Sequence, residues 1–353
     1  MQAGPEKAKP IGLIVDGEMR GDANDLAALA TVFGLGYLDP AEASILTLSL
    51  TGSAVEGAAF VDAAARFYSK EWLRDFPERF QRYRGLPVGL SEGPGPASPA
   101  VTGPLAAKDS EGEPLYPNEV HTLTDTADPA ALIRNGLTTR EDQSVAVVLT
   151  GPATNLARVL GLNGGRELIK SKVTLLAAAL GDLASNTIDP HVAADVEAAR
   201  KLFAEWPTPI VTIGRAAGEA LTLDRKTLAT DVKWAERHPI VDAHRAGPSS
   251  SSTVSTREAA AALYAVRPKA GYYQESEPGL VSVGADGALS FEPTAEGRHR
   301  RLGLASSNSE ALRQLYADLI SGQPSAREMP EFLKKFIERE KQKALEEEKA
   351  STQ

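Results

Sequence analysis

The chain opens its apolar pattern with Ile11-Gly-Leu-Ile-Val15. A short apolar run without polar alternation reads as a strand buried on both faces, the habit of parallel sheets. Leu26 to Phe33 then reads as a helix, Ile45 to Leu50 as a second strand and Val55 to Tyr68 as a second helix. This alternation predicts βαβ units with right-handed crossovers. Val145 to Leu149 is the least ambiguous core strand, running into Thr150-Gly-Pro-Ala-Thr-Asn155 and a helix through Leu160. Strands are also expected over Val173 to Ala178 and Ile210 to Ile213, with one helix from Val192 to Phe203 between them. Glu258 to Val266 reads as an apolar helix. Val281 to Val283 and Leu289 to Phe291 flank Asp286-Gly287, a strong hairpin signal. The pattern therefore predicts a three-layer α/β fold, with a mostly parallel central sheet flanked by helices and a small C-terminal hairpin.

Other stretches read less sharply. Residues 69–83 mix charges with Trp72, Phe76, Phe80 and Tyr83 and suggest a helical excursion at the sheet edge. Leu86 to Gly89 looks like a strand end, residues 90–120 like a long Gly/Pro/Ser-rich loop, and Asp128 to Arg134 like a helix. Residues 214–255 are polar and include the run Ser249 to Ser252, read as a loop. One domain over 10–330 is expected. Residues 331–353 are expected to form a charged helical or frayed tail, in which Phe332, Leu333, Phe336 and Ile337 can pack a turn or two.

Composition narrows the chemistry. The 353 residues carry a formal charge of −9, with no cysteine and five histidines. Disulfides, thiolate nucleophiles, iron–sulfur clusters and the usual structural zinc sites are excluded. The acidic balance argues against a nucleic-acid partner, which needs a clustered positive footprint. No apolar run reaches the length of a membrane span. The polar start, Met1 to Pro10, lacks the apolar stretch of a signal peptide, so the expectation is a soluble protein, cytoplasmic or exported with a leader absent from this chain.

The turn after Val15 carries Asp16, Glu18, Asp22, Asn24 and Asp25 within ten residues. In an open α/β sheet, ligands sit beyond the carboxyl ends of the strands, where this turn lies. Crowded carboxylates need a cation or a basic side chain to neutralise them, and an oxygen-only donor set favours calcium or magnesium. The alternative is a solvated acidic turn in which Asp25 caps the next helix. A phosphate cradle fails, because Gly17 and Gly21 are accompanied by repelling carboxylates and no lysine.

Four segments resemble the inosine–uridine preferring nucleoside hydrolase family. The turn Asp16-x-Glu18 then Asp22-x-Asn24-Asp25 is similar to the longer form of its aspartate-rich signature. Thr150-Gly-Pro-Ala-Thr-Asn-Leu-Ala157 resembles its Gly-Pro-Leu-Thr-Asn-Leu-Ala segment, and Asp195-Val-Glu-Ala-Ala199 its Asp-Pro-Glu-Ala-Ala helix. Glu258 to Pro268 resembles a late helix that begins with a metal-ligating aspartate. Order and spacing agree from about residue 10 to 300.

The resemblance implies hydrolysis of the N-glycosidic bond of a ribonucleoside, releasing base and ribose. A Ca²⁺ ion, with Mg²⁺ as an alternative, would hold the ribose 2′ and 3′ hydroxyls and the attacking water, and a carboxylate would take the water's proton. Carried over by position, Glu18 is the metal-binding base, Asp25 and Glu258 are carboxylate ligands, and Thr150 offers its carbonyl. Asn24, Asp182, Asp189 and His191 fall at sugar-binding positions, with His191 also a candidate acid. Arg257 stands where many members place a histidine for the leaving base. Asp16 and Asn155 would support the ligands from behind. A homo-oligomer is a further expectation.

The departures are chemical. Glu replaces Asp at positions 18 and 258, and each added methylene moves a carboxylate by roughly 1 Å, enough to cost about 10²-fold in rate. Asn24 loses a charge, and His191 changes the shape of the sugar site. These differences leave two alternatives open: a catalytically weakened metal- or sugar-binding homologue, or a hydrolase of another ribosyl or glycosyl compound. Elsewhere, His121 and His244 are minor candidates, His238 and His299 read as superficial, Trp206 as packing, and Trp72 and Trp234 as packing or rim residues.

Overall fold

The computed structural model describes residues 9–38, 41–69, 86–93, 96–181, 188–225, 232–247, 252–305, 309–324 and 339. The expectations for residues 69–83 and for the tail 331–353 fall almost wholly outside them, as do Trp72 and Asp182.

The first half alternates β1 (Ile11–Gly17), α1 (Ala23–Tyr37), β2 (Ala43–Ser53), α2 (Val55–Ser69), β3 (Val88–Glu92), α3 (Pro99–Ala106) and α4 (Pro129–Thr138). It continues with β4 (Val145–Leu149), α5 (Thr154–Gly161), α6 (Gly165–Lys172), β5 (Val173–Ala178), α7 (Pro190–Ala194), α8 (Val196–Glu205) and β6 (Ile210–Ile213). Then come α9 (Arg215–Glu219), β7 (Thr222–Asp224), α10 (Pro239–Ala246), β8 (Thr253–Ser255), α11 (Arg257–Val266), β9 (Tyr273–Glu275), β10 (Gly279–Val283), β11 (Leu289–Pro293), β12 (His299–Leu304) and α12 (Ser309–Ser321).

Nine strands lie in the order β11-β10-β12-β6-β5-β4-β1-β2-β3, and β9 adds a tenth beside β12. From β12 to β3 every pairing is parallel, while β9, β10 and β11 pair antiparallel. The short β7–β8 pair is separate. Side-chain alternation divides the core into two layers. Leu13, Ala146, Val148, Ala177 and Val211 join α1, α2, α11 and α12 on one face. Ile14, Val145, Val147, Leu149 and Leu176 join α4, α5, α6 and α8 on the other. The expected three-layer architecture is the one observed, and the predicted hairpin extends the main sheet.

Several local readings change. The long loop at 90–120 contains α3, whose Ala100 and Val101 are buried. The helix expected over Val192 to Phe203 is two helices, because Asp195 leaves helical geometry and caps α8 by accepting from the Ala198 N–H. The polar stretch 214–255 contains α9, β7, α10 and β8. His238 and His299 are buried rather than superficial. The Nδ1 of His299 accepts from the Val281 N–H, tying β12 to β10.

α1 is enclosed along nearly its whole length, as expected for a helix apolar on every side. Its crossing with α12 is close: a Cβ on Gly34 would stand 2.3 Å from the Leu319 carbonyl oxygen. Gly34→Ala is expected to lower stability by about 1–3 kcal/mol, read as a lower urea midpoint with unchanged slope.

His238 sits edge-on to Phe67, Tyr68 and Trp234, with ring centroids 5.0, 5.3 and 5.5 Å away, and neither ring nitrogen has a hydrogen-bond partner. Burial pushes its pKa down to about 3. The unfolded chain therefore takes up a proton near pH 6.5 that the folded chain refuses, so this contribution is complete above pH 6.5 and is lost as pH falls toward 3. His238→Phe should remove about 2–3 kcal/mol of the stability loss between pH 7 and 4.5, measured by denaturant titration at both pH values.

Candidate functional site

From β1 the chain builds outward through β2 to β3, then restarts with β4 on the other side of β1. That reversal opens a crevice at the carboxyl ends of β1 and β4. Asp16 and Gly17 end β1 there, and the Thr150 N–H at the exit of β4 donates to the Asp16 carbonyl at 2.8 Å.

The acidic turn is held by its own backbone. The Met19 N–H donates to Ser53 Oγ at 2.8 Å. Gly21 has φ 83°, a conformation that strains any side chain, and a Cβ there would strike Ser98 and Val101. Asp22, rather than Asp25, caps α1 by accepting from the Asn24 and Asp25 N–H groups at 2.8 and 2.9 Å. Asp25 is thereby left buried, with one carboxylate oxygen accepting from the Arg20 N–H at 3.2 Å. Glu258, in the first turn of α11, is also buried, and its Oε2 has no partner.

Glu18, Asp25, Thr150 and Glu258 line one cavity of about 30 Å³. Burial raises the Asp25 pKa well above the ordinary carboxylate range, and Asp22, Glu18 and Glu258 add like-charge repulsion. Burial also raises Glu258, against the lowering influence of Arg257. The unpartnered Glu258 Oε2 and the strongly raised Asp25 put onto this cavity the oxygen donors a hard divalent cation takes, although most of the remaining lining, including Val15, Leu29, Val32 and Val148, is apolar. Among the described residues, however, no three His, Asp or Glu side chains are arranged to hold a metal ion as they stand.

Glu18 is engaged elsewhere. Its Oε1 lies 3.1 Å from His191 Nε2 and its Oε2 3.1 Å from Arg20 Nε. Burial alone would lower the His191 pKa, but the hydrogen bond and charge of Glu18, helped by Asp189, raise it. Asp189 caps α7 by accepting from the His191 N–H at 2.9 Å, and its second oxygen accepts from Arg257 Nη2 at 2.5 Å. Burial would raise Asp189, but the charge and hydrogen bond of Arg257 lower it. Arg257 also donates to the Ile213 and Gly181 carbonyls at 3.1 and 3.2 Å. Positive and negative groups thus alternate from Arg20 through Glu18, His191 and Asp189 to Arg257.

Beneath the turn, Asp16 is fully buried and accepts from Ser49 Oγ at 2.7 Å and Asn155 Nδ2 at 2.9 Å. Burial raises its pKa to about 7 despite those bonds. Asn155 Oδ1 accepts from Ser91 Oγ at 2.8 Å, so this amide ties β1 to β3 and does not cap α5. Asn24 Oδ1 accepts from the Ser255 N–H at 3.0 Å.

Of the residues predicted at the site, Glu18, Asp25, Thr150 and Glu258 line the cavity, Asp16, Asn155, Asp189, His191 and Arg257 connect to lining residues through the contacts above, and Asn24 precedes Asp25 with its amide oxygen turned to Ser255. Arg257, expected beside a leaving base, is buried and committed to three acceptors. His244 lies buried on α10, and His121 is exposed beside a short 3₁₀ turn. Arg20 was missed by the sequence reading. Its signal was a lone basic residue inside the acidic turn.

No protein-family model and no curated protein matches the sequence. Solved structures do. A plant nucleoside hydrolase, PpNRh1, shares 16% identity over 89% of this chain and 100% of its own, with a TM-score of 0.58. The inosine–uridine preferring nucleoside hydrolase from Bacillus anthracis shares 14% identity over 88% and 99%, with a TM-score of 0.60. The type III effector protein XopQ, solved with adenosine diphosphate ribose, shares 13% identity over 90% and 95%, with a TM-score of 0.61. The chain has the nucleoside hydrolase fold. Among the described residues no helix is long and apolar enough to cross a membrane.

The buried Arg257–Asp189 pair joins α11 to α7 and the ends of β5 and β6. Arg257→Met should cost about 3–5 kcal/mol by stranding Asp189, and Arg257→Lys should recover only part, since one ammonium cannot replace the planar fork. Urea unfolding of both variants checks this.

Proposed function

We propose that this protein hydrolyses the N-glycosidic bond of a ribonucleoside or a closely related ribosyl compound, with a bound Ca²⁺ or Mg²⁺. The observation that carries the reading is the convergence of Glu18, Asp25, Glu258 and Thr150, from three distant stretches of chain, on one ion-sized cavity at the sheet's switch point. Asp25, Glu258, Glu18 and the Thr150 carbonyl would hold the cation. When bound, it would fix the sugar hydroxyls and make water a better nucleophile.

The chain's own groups divide the remaining work. Glu18 accepts the proton of the attacking water, and His191 Nε2 orients that carboxylate. Asp189, held by Arg257, fixes the start of α7 and hence His191 beside the sugar. Asp182 belongs to the same reading as a sugar contact. As the C1′–N bond breaks, the water's hydroxyl joins C1′, the base leaves with the bonding electron pair and takes up one proton from solvent, and Glu18 returns to solvent the proton it took from the water.

A second reading, a cation- or ribosyl-binding protein with weakened turnover, is favoured by one observation. Both Glu18 oxygens are already engaged, by His191 and Arg20. The XopQ complex with adenosine diphosphate ribose supports including that compound among the ligands tested.

Purified protein should release ribose from at least one member of a panel of nucleosides and ADP-ribose. Chelation should abolish release, added Ca²⁺ should restore it, and Glu18→Gln should lower kcat by about 10²–10⁴-fold. Ligand binding without turnover on any compound would replace the hydrolase reading with the second one.

A further inference from the structure

Asp25 and Glu258 stand 233 positions apart, and both must keep their places for the cavity to exist. Asp25 is fixed from within its own turn by the Asp22 cap. Glu258 follows the corner Ser255–Thr256, which is held on one side by α9 and the chain after it. The Thr256 N–H donates to the Gly218 carbonyl at 3.3 Å, and Thr256 Oγ1 donates to the Leu221 carbonyl at 2.8 Å. On the other side, the Ser255 N–H donates across to Asn24 Oδ1 in the acidic turn at 3.0 Å. Asn24 immediately precedes Asp25, and Ser255 precedes Glu258 by three residues.

Resting on the cation-site reading above, we propose that Asn24 is a positioning residue: its carbonyl pins the Ser255 N–H and thereby sets Glu258 opposite Asp25. This differs from a direct grip on a ribose hydroxyl, because the carbonyl end of the amide is already used within the protein. It also accounts for the residue type. An aspartate here could accept the same hydrogen bond, but it would add another negative charge to a corner where Asp22, Glu18 and Glu258 already repel Asp25. Asparagine supplies the acceptor without the charge. The strut is local and neutral, and it links the two segments whose carboxylates must meet.

The test uses the full chain, Ca²⁺ alone as the probe, and titration calorimetry with amide hydrogen exchange at Ser255. Wild-type protein should bind Ca²⁺. Asn24→Ala should weaken binding by about 10- to 100-fold, the usual cost of removing a group that orients a ligand from behind, and should speed exchange at Ser255. Asn24→Asp keeps the acceptor and should restore protection at Ser255, while Asn24→Leu, similar in size but without an acceptor, should match the alanine variant in both readouts. Wild-type affinity in Asn24→Ala, or unchanged exchange at Ser255 in that variant, would overturn the positioning role while leaving the cation site standing. Absence of Ca²⁺ binding by the wild type would overturn the cation reading and this role with it.

Discussion

Burying several negative charges together is the constraint around which this protein is arranged. Glu18, Asp25 and Glu258 line one cavity from which solvent is largely excluded, and burial with like-charge repulsion raises the Asp25 pKa strongly. A carboxylate in that setting must find a counter-charge, share a proton or stay neutral. The chain supplies basic groups in alternation with the acids, from Arg20 at the surface to Arg257 in the interior. Glu18 and Asp189 are compensated in this way, while, among the described residues, Glu258 Oε2 and Asp16 Oδ2 are left without a partner. Electrostatic demand therefore stays on Asp25 and Glu258 at the cavity and on Asp16 beneath it.

The architecture explains why this corner exists. A parallel sheet needs helices on both faces, and its direction of winding reverses once, beside β1. The loops at that reversal diverge and leave backbone ends and side chains facing a common space. Asp16 and Asn155 stiffen the floor by joining three strands, and the Gly21 turn fixes how the acidic segment enters α1. Chemistry is thus carried on loops, while rigidity comes from the strands beneath them.

Much of this was legible in the sequence. Val145–Leu149 could be bounded to the residue because a strand covered on both faces is apolar throughout. The β10–β11 hairpin followed from Asp286-Gly287. β12 was not legible. Its sequence His-Arg-Arg-Leu-Gly-Leu reads as polar, yet it lies inside the sheet, with His299 and Leu302 turned inward and its arginines directed elsewhere. α6 was missed because its charged residues hide a single buried anchor, Ile169. At the site, the motifs name carboxylates that line one cavity, but side-chain direction is not written in spacing. Arg257 turned into the protein to satisfy Asp189 and two carbonyls, and Asn24 turned across to Ser255. Both choices are made by partners hundreds or tens of positions away.

β12 also bears on how the molecule comes into being. It pairs parallel with β6 and antiparallel with β9 and β10, so the far side of the sheet depends on residues 299–304. During synthesis, the acidic turn leaves the ribosome long before α11 and β12 do. A nascent chain consequently carries those acids in water, where repulsion is weak, and encloses them only after most of the polypeptide is available for long-range pairing. Assembly of the charged corner is a late event by topology, and the expense of desolvating it falls when nearly the whole core is present to offset it.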